Sequence, residues 1–188
     1  MEVTIKKVHT EDVQPIKTKE ALQDMKWALK RHCSERDYIM FVIGINTGLR
    51  ISDLLKIKTA DLKGKKSLKI KESKTKKSRT IYFDSIYEEV QEYINSNPSE
   101  WLFPSRKGDK PISTTQAYRQ LVKAGEMADI TSIGTHTLRK TFGYWHYKTH
   151  SNIPQLQSIL NHSSSQITLR YIGLTEEEER ESIISLNL

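Results

Sequence analysis

The sequence predicts an α+β domain that is mainly helical and carries one small antiparallel β-sheet. Most of the chain divides into stretches in which apolar residues recur at helical spacing, and several of these stretches follow a residue that commonly caps a helix. One segment instead alternates apolar and polar residues with a period of two, on both sides of a polar turn. The length of 188 residues suits one domain with short flanking arms.

The predicted helices account for most of the chain. Their predicted N-terminal caps are Thr18, Ser52, Asp84 and Ser113, residues whose side chains can accept a hydrogen bond from the first helical turn. Gly48 ends the second helix, and Pro154 is predicted to be the first helical residue of a later one. The predicted helices cover about residues 19–31, 34–47, 52–55, 84–95 and 113–128, and three more begin at Thr135, at Pro154 and within 163–166.

The predicted sheet is a hairpin. Residues 68–71 and 79–83 alternate between apolar and polar side chains, as strands with one buried face do. Residues 73–79 between them contain three lysines and an arginine, which predicts an exposed basic turn. A further strand near residues 61–62 is left open by the pattern.

The charge balance favours a polyanionic partner. Lysine and arginine total 30 against 23 acidic residues, which gives a formal net charge of +7 and an isoelectric point near 9.3. No apolar run is long enough to cross a membrane, and the N-terminus lacks the apolar core of a signal peptide. The single cysteine, Cys33, cannot form an internal disulfide and is expected to be buried. We therefore expect a cytoplasmic protein.

Residues of one chemistry recur along the sequence. His136 and Arg139 are three apart, so a helix would place both on one face, where the arginine can bind two oxygens of an oxyanion and the histidine can move a proton. A second arginine, Arg50, follows Thr-Gly-Leu at a helix boundary. A second histidine, His162, lies in a turn-like Asn-His-Ser-Ser-Ser, and Tyr171 follows nine residues later.

This ordered set resembles the catalytic domain of the tyrosine recombinases, the phage integrase family. The order is an arginine, a lysine in a hairpin, His-x-x-Arg, a histidine in Leu-Asn-His-Ser-Ser, and a tyrosine. Each piece alone would recur by chance, but all five in order are specific. The resemblance covers about residues 18–175, which we expect to be the catalytic domain. Residues 1–17 are predicted to be an extended N-terminal arm, and residues 176–188 a C-terminal tail.

The family cleaves and rejoins duplex DNA at specific sites through a 3′-phosphotyrosine link, without metal or ATP, so the resemblance implies no cofactor. It assigns Tyr171 as the nucleophile, Arg50 and Arg139 as the phosphate clamp, Lys74 as the general acid, and His136 and His162 as phosphate-binding and proton-transferring groups. It also implies that Asp53 helps to orient the catalytic side chains without contacting the substrate itself. Lys76 and Lys77 lie in the same turn as Lys74, so the general acid could be another lysine of that turn.

The resemblance further implies contacts with double-stranded DNA and with other protomers. Turn residues Lys76, Lys77 and Arg79 are predicted to contact DNA, which would place the protein on the nucleoid. A wider basic face is expected to add to this binding: Lys63, Lys65, Lys66, Lys69, Lys71 and Arg119. The tail could dock on a neighbouring protomer of a DNA-bound tetramer or on its own core, through Ile183, Ile184, Leu186 and Leu188.

Several departures and alternatives stay open. Lys140 stands where relatives often carry histidine, and about 17 residues precede the first helix where many relatives have a DNA-binding domain. The chain is therefore either a minimal protein or a fragment. A DNA-binding module without activity would keep the fold, and a relaxing topoisomerase would share the chemistry. His146 and His150 are four apart, but without a third ligand they predict a solvated helix face rather than a metal site.

Overall fold

The fold is known from a computed structural model, which describes residues 13–174 and 176–186. These residues contain ten α-helices, one short 3₁₀ turn and one hairpin, so the predicted mainly helical α+β class is confirmed. The helices are α1 (Lys19–His32), α2 (Glu35–Thr47), α3 (Ile51–Leu54), α4 (Thr59–Leu62), α5 (Tyr87–Ser96), α6 (Thr114–Met127), α7 (Thr135–His150), α8 (Ile153–Leu160), α9 (Ser165–Ile172) and α10 (Glu176–Ile184).

The hairpin pairs β1 (Ser67–Lys71) with β2 (Ser78–Tyr82) in antiparallel register, with Leu68 opposite Ile81 and Ile70 opposite Arg79. The alternation predicted this pairing, although each strand begins one residue earlier than expected. The strand left open near residues 61–62 does not form, because those residues belong to α4.

Several predicted helix starts differ in detail from the structure. Thr18 and Ser113 cap α1 and α6 with their side chains, as predicted. Ser52 does not cap α3, which begins one residue earlier and has no side-chain cap. Asp84 instead opens a short 3₁₀ turn ahead of α5. The helix expected to begin at Pro154 begins at the residue before it, because the side chain of Asn152 supplies the cap.

The apolar core has two parts joined by α7. The larger part gathers side chains of α1, α2, α5, α6 and the inner face of the hairpin around Phe41 and Phe83. The smaller part lies between α7, α8 and α9 around Leu156, Leu160 and Ile172. Because α7 contributes to both parts, it holds the end of α2 close to the end of α8. Cys33 is only half-buried at the end of α1, so the prediction of burial was wrong.

Two glycines permit the close approach of elements around α7. Gly48 ends α2 in the left-handed conformation (φ +62°), and a side chain there would overlap the Phe142 ring. Gly143 on α7 lies against Ile172 of α9, where an added Cβ would stand 2.8 Å from the isoleucine side chain. The first contact brings the residues that follow α2 close to α7, and the second brings α9, the helix that carries Tyr171, close to it.

Residues 13–17, which we call the N-terminal strap, lie across α7. The Ile16 amide donates to the Thr141 hydroxyl at 2.9 Å, and the Trp145 indole donates to the Ile16 carbonyl at 2.9 Å. Lys17 Nζ donates to the Gly173 carbonyl at 2.6 Å and pairs with Glu178 of α10 at 2.7 Å. The strap therefore ties α7, the end of α9 and the start of α10 together.

The far end of α10 contrasts with its tethered start. Ile183, Ile184 and Leu186 are 65%, 61% and 64% exposed. These three side chains are thus not buried on the core of their own chain, and Leu188 lies outside the described residues. Within the described part of the chain, no helix is both long enough and apolar enough to cross a membrane.

Candidate active site

Arg139 of α7 is fixed by main-chain carbonyls. Its guanidinium donates from Nη1 to the Gly48 carbonyl at 2.5 Å and from Nη2 to the Leu160 carbonyl at 2.6 Å. These carbonyls lie at the C-terminal ends of α2 and α8, where unpaired carbonyls and the helix dipoles favour a cation. The side chain is only 3% exposed. Burial lowers the pKa of Arg139 to about 10, so the group remains cationic at neutral pH.

Arg79 of β2 makes a second bridge between the same two helix ends. It donates from Nη1 to the Ile159 carbonyl at 2.6 Å and from Nη2 to the Thr47 carbonyl at 2.8 Å. The two arginines thus connect consecutive carbonyls at the end of α2 with consecutive carbonyls at the end of α8. The guanidinium of Arg79 points into the protein in this arrangement, and its predicted contact with DNA stays a prediction.

The buried carboxylate of Glu72 lies where the three arginines meet, and sequence reasoning did not identify it. Its Oε2 accepts from Arg50 Nη1 at 2.8 Å, while its Oε1 lies 3.8 Å from Arg79 Nε and 3.9 Å from Arg139 Nη1. The side chain is 2% exposed. The sequence did contain a signal. Side chains of a strand alternate between its two faces, and Glu72 is two residues after Ile70 and four after Leu68, which predicts that it lies on the core side of the hairpin.

Arg50 and Asp53 lie at opposite ends of the short helix α3. Arg50 precedes α3 and reaches the carboxylate of Glu72. Asp53 is buried, and its Oδ1 accepts from the amide of Ser73 at 2.9 Å. The predicted clamp arginine and the predicted supporting acid therefore both contact the segment that leads into the basic turn.

Tyr171 lies between the two predicted histidines. Its hydroxyl oxygen is 3.4 Å from Nδ1 of His136, and its ring centroid is 4.9 Å from that of His162. Asn161 ends α8 in the left-handed conformation (φ +51°), which turns the chain so that His162 faces α9. There His162 Nδ1 lies 3.1 Å from the Thr168 hydroxyl.

The electrostatic surroundings keep both histidines neutral and the tyrosine protonated in the resting protein. Burial, together with Arg139 and Arg50, lowers the pKa of His162 to about 4. Burial and the nearby cations Lys140, Arg139, Lys74 and Arg50 lower the pKa of His136 as well. The pKa of Tyr171 is raised by burial, although Arg139 and Arg50 oppose this by favouring the phenolate. An uncharged imidazole next to a phenol can accept its proton.

The lysine turn is far more exposed than the arginines. Lys74, Lys76 and Lys77 are all exposed, and Lys76 has a left-handed backbone (φ +60°). Lys77 donates to the Asn161 side chain at 2.9 Å. Among the described residues, the amine of Lys74 has no hydrogen-bond partner, yet it lies near enough to His136 to lower the pKa of that histidine. The turn thus closes over the same face as Tyr171.

Lys140, the departure from the usual pattern, is buried beside Tyr171. Its amine donates to the Val13 carbonyl of the strap at 2.6 Å and stands 5.6 Å from the centroid of the Tyr171 ring. The lysine thus connects the strap with the tyrosine. The other predicted basic residues on the wider face, Lys63, Lys65, Lys66, Lys69, Lys71 and Arg119, are all exposed.

His146 and His150 form a pair on α7. The rings of His146 and His150 lie 4.8 Å apart. In residues 13–174 and 176–186, no group of three or more histidine, cysteine or acidic side chains is arranged to hold a metal ion. His150 is exposed, as predicted, but His146 is partly buried beside the Phe142 ring and burial lowers its pKa, so the prediction of a solvated face is wrong for His146.

Two bacterial proteins are similar to this chain in sequence. The chain is 47% identical over 170 residues to the Bacillus subtilis protein named "Probable integrase/recombinase YoeC", covering 89% of this chain and 93% of that protein. It is 31% identical to a tyrosine recombinase of Pseudothermotoga lettingae, covering 81% of this chain but only 54% of that protein. The chain therefore spans nearly all of one relative and about half of the other.

A solved structure shares the fold. The post-cleavage complex of the XerH site-specific recombinase, bound to its palindromic difH substrate, matches with a TM-score of 0.72 at 19% identity. The match covers 93% of this chain and 54% of that one. The model of the phage integrase family matches residues 15–178, which is most of the sequence. With this match and the close bacterial relative, the chain belongs to the phage integrase family, the tyrosine recombinases.

Proposed function

We propose that this protein cleaves and rejoins duplex DNA at specific sites through a 3′-phosphotyrosine link, with neither metal nor ATP. The observation that carries the proposal is the approach of the Tyr171 hydroxyl to within 3.4 Å of His136 Nδ1, next to His162 and Arg139. A phenol beside a neutral base and a fixed guanidinium has what it needs to attack a phosphorus atom.

In the proposed cleavage step, residues of this chain accept and donate every proton that moves. The Tyr171 oxygen forms a bond to the phosphorus, and its proton passes to Nδ1 of His136. The bond from phosphorus to the 5′-oxygen breaks, and that oxygen takes a proton from Lys74. Arg50, Arg139 and His162 hydrogen-bond the non-bridging oxygens, on which negative charge builds up. In rejoining, a 5′-hydroxyl attacks the phosphorus and its proton passes to the neutral amine of Lys74. The bond from phosphorus to the Tyr171 oxygen breaks, and that oxygen regains the proton from His136, so the bond energy is conserved.

Double-stranded DNA is the proposed partner. The net charge of +7 and the exposed turn lysines favour a polyanion, and the fold matches a recombinase solved with its DNA substrate. An open groove of about 590 Å³, lined by Lys77, Asn161 and His162 among others, adjoins the arginine bridges. We propose that Lys76 and Lys77 contact phosphates beside the cleaved bond, and that the bound protein lies on the nucleoid.

The tail is proposed to join protomers on DNA. Ile183, Ile184 and Leu186 are exposed on their own chain, and exposed apolar side chains in one segment favour a partner surface. Docking on the next protomer would close a ring of four around two duplexes. Residues 18–175 would then be the catalytic unit, and residues 176–188 the connecting tail.

A covalent trapping experiment tests the proposal. The full chain is mixed with a duplex library of random sequence that contains nicks, which release the short strand after cleavage and prevent rejoining. Adducts that survive denaturation are sequenced and should converge on one site. Tyr171→Phe should form none, and a chelator should not reduce the yield. If Tyr171→Phe gave the same yield of adduct as the unsubstituted protein, or if the unsubstituted protein formed no adduct at any sequence, the proposed chemistry would be rejected. Relaxation of supercoiled plasmid without a preferred site would indicate a topoisomerase instead.

A further inference from the structure

Glu72 contacts both the arginine clamp and the lysine turn through one oxygen atom. Its Oε2 accepts from Arg50 Nη1 at 2.8 Å and from the Thr75 hydroxyl at 2.8 Å. Arg50 lies on the clamp side, and Thr75 follows Lys74 directly in the turn. A single buried carboxylate oxygen therefore connects two parts of the site that approach the phosphate from different elements of the fold.

The backbone of Glu72 also closes the turn. Its amide donates to the Lys77 carbonyl at 2.9 Å, and its carbonyl accepts from the Lys76 amide at 2.9 Å. The side chain of Asp53 accepts a hydrogen bond from the Ser73 amide, so two buried acids, Asp53 and Glu72, form hydrogen bonds to the first half of the turn. The amine of Lys74 is attached to the protein only through this held backbone, because the described residues offer it no hydrogen-bond partner.

The charge of Glu72 suits this position. Burial alone would raise the pKa of its carboxyl group, but hydrogen bonds from Thr75 and Arg50 and the charges of Arg50 and Arg139 lower it. The carboxylate is therefore ionised, and an ionised acceptor makes stronger hydrogen bonds than a neutral one. It also offsets the repulsion among the guanidiniums of Arg50, Arg79 and Arg139, which all lie within 4 Å of it.

We propose that Glu72 is a positioning residue that holds the Lys74 turn in register with the Arg50 clamp, so that the proton reaches the leaving 5′-oxygen. This inference rests on the proposed function. Glu72 is only 2% exposed and its Oε2 is occupied by Arg50 and Thr75, so we expect it to act through these neighbours rather than on the phosphate itself. If it only compensated charge, its loss would weaken the clamp and leave proton delivery intact, and the two cases can be separated by changing the leaving group.

The test compares two versions of the trapped duplex. One has the natural phosphodiester, and the other has sulfur in place of the bridging 5′-oxygen at the cleaved bond. A thiol has a pKa of about 8.5, so a thiolate leaves without a donated proton. Glu72→Gln and Thr75→Val should each slow adduct formation on the natural duplex by roughly tenfold to a hundredfold, as partial loss of general acid catalysis does. On the sulfur duplex both variants should match the unsubstituted protein.

Two controls separate the readings. Arg50→Ala should be slow on both duplexes, because a better leaving group does not restore phosphate binding. Thr80→Val changes an exposed threonine of β2 outside the turn and should behave as the unsubstituted protein on both. Equal slowing of Glu72→Gln and Thr75→Val on the two duplexes, or no slowing on either, would overturn the inference.

Thr75→Val keeps the inference testable if Glu72→Gln does not fold. It removes the turn-side contact of Glu72, together with a 3.4 Å hydrogen bond from the Lys77 amide, and leaves the contact between Glu72 and Arg50 in place. Hydrogen exchange on the free protein gives an independent measurement. The Lys76 amide should exchange faster in Thr75→Val than in Thr80→Val, and an equal rate would count against the inference. If the unsubstituted protein forms no Tyr171 adduct, the proposed function fails and the inference falls with it. If the unsubstituted protein forms the adduct normally but Glu72→Gln and Thr75→Val are slow on both duplexes, as Arg50→Ala is expected to be, the inference is refuted and the proposed function stands.

Discussion

Arg139 and Lys74 are both cations proposed to act on one phosphate, but the protein holds them in different ways. Arg139 is buried and donates to carbonyls at the ends of two helices. Lys74 is exposed on a turn, and its amine has no hydrogen-bond partner in the described part of the chain. Folding therefore sets the position of the clamp, whereas the position of the general acid depends on the backbone of the turn and on DNA. Substitutions in the two regions should differ in their effect on stability.

The largest effect is expected for Arg139→Lys. A lysine keeps the charge but cannot bridge the carbonyls of Gly48 and Leu160 with two donors. We expect the free energy of unfolding to fall by about 3 kcal/mol, because two charged hydrogen bonds are lost. Adduct formation should fall by roughly a thousandfold. Urea unfolding and the trapping assay measure the two effects, with the exposed Arg119→Lys as matched control. Unchanged stability would show that the carbonyl bridges do not matter.

Lys74→Gln should remove activity without loss of stability. Adduct formation on the natural phosphodiester should fall by about a hundredfold or more, as loss of a general acid does. The free energy of unfolding should change by less than about 0.5 kcal/mol because the side chain is exposed. Lys76→Gln is the matched control from the same turn. If Lys76→Gln lost the activity and Lys74→Gln kept it, the general acid would be Lys76.

Arg79→Gln and Lys77→Gln test which basic residues of the hairpin stabilise the fold and which bind DNA. Arg79 bridges two carbonyls, so we expect its loss to reduce the free energy of unfolding by about 2 kcal/mol. Lys77→Gln should leave stability unchanged and reduce the slope of DNA affinity against salt by about one. Unfolding curves and binding titrations at several salt concentrations measure these effects. A reduced salt slope with normal stability for Arg79→Gln would assign this residue to DNA contact, as the sequence suggested.

The smallest expected effect concerns pH. Folding lowers the pKa of His162 from 6.5 to about 4, so between these values the unfolded chain binds a proton that the folded protein does not. The stability contributed by the neutral ring is present above pH 6.5 and is lost as the pH falls toward 4. His162→Asn should reduce this loss by on the order of 1 kcal/mol. Urea unfolding at pH 7 and pH 4.5 checks it, and Lys76→Gln should keep the full dependence.

Local sequence signals predicted the elements well where a cap or an alternation was strong. Thr18, Ser113 and Gly48 mark helix ends because each forms a hydrogen bond or a backbone conformation within its own few residues. The errors fall where neighbouring elements decide the outcome. Residues 61–62 are too few for their periodicity to distinguish a strand from the short helix α4. Asp84 does not cap α5, because a 3₁₀ turn lies between this residue and the helix.

The sequence by itself determined which residues could take part in the chemistry, because the order of Arg50, Lys74, His136, Arg139, His162 and Tyr171 can be read without a fold. Only the tertiary structure decided that Arg79 turns inward and that Glu72 joins the arginines to the turn. Both outcomes depend on where α2 and α8 end relative to the hairpin. Arg50 lies 22 positions from Glu72, and Ile159 lies 80 positions from Arg79, so no local pattern predicts these contacts. The physical reason is that buried charges are positioned by long-range partners, whereas helix ends are positioned by their own neighbours.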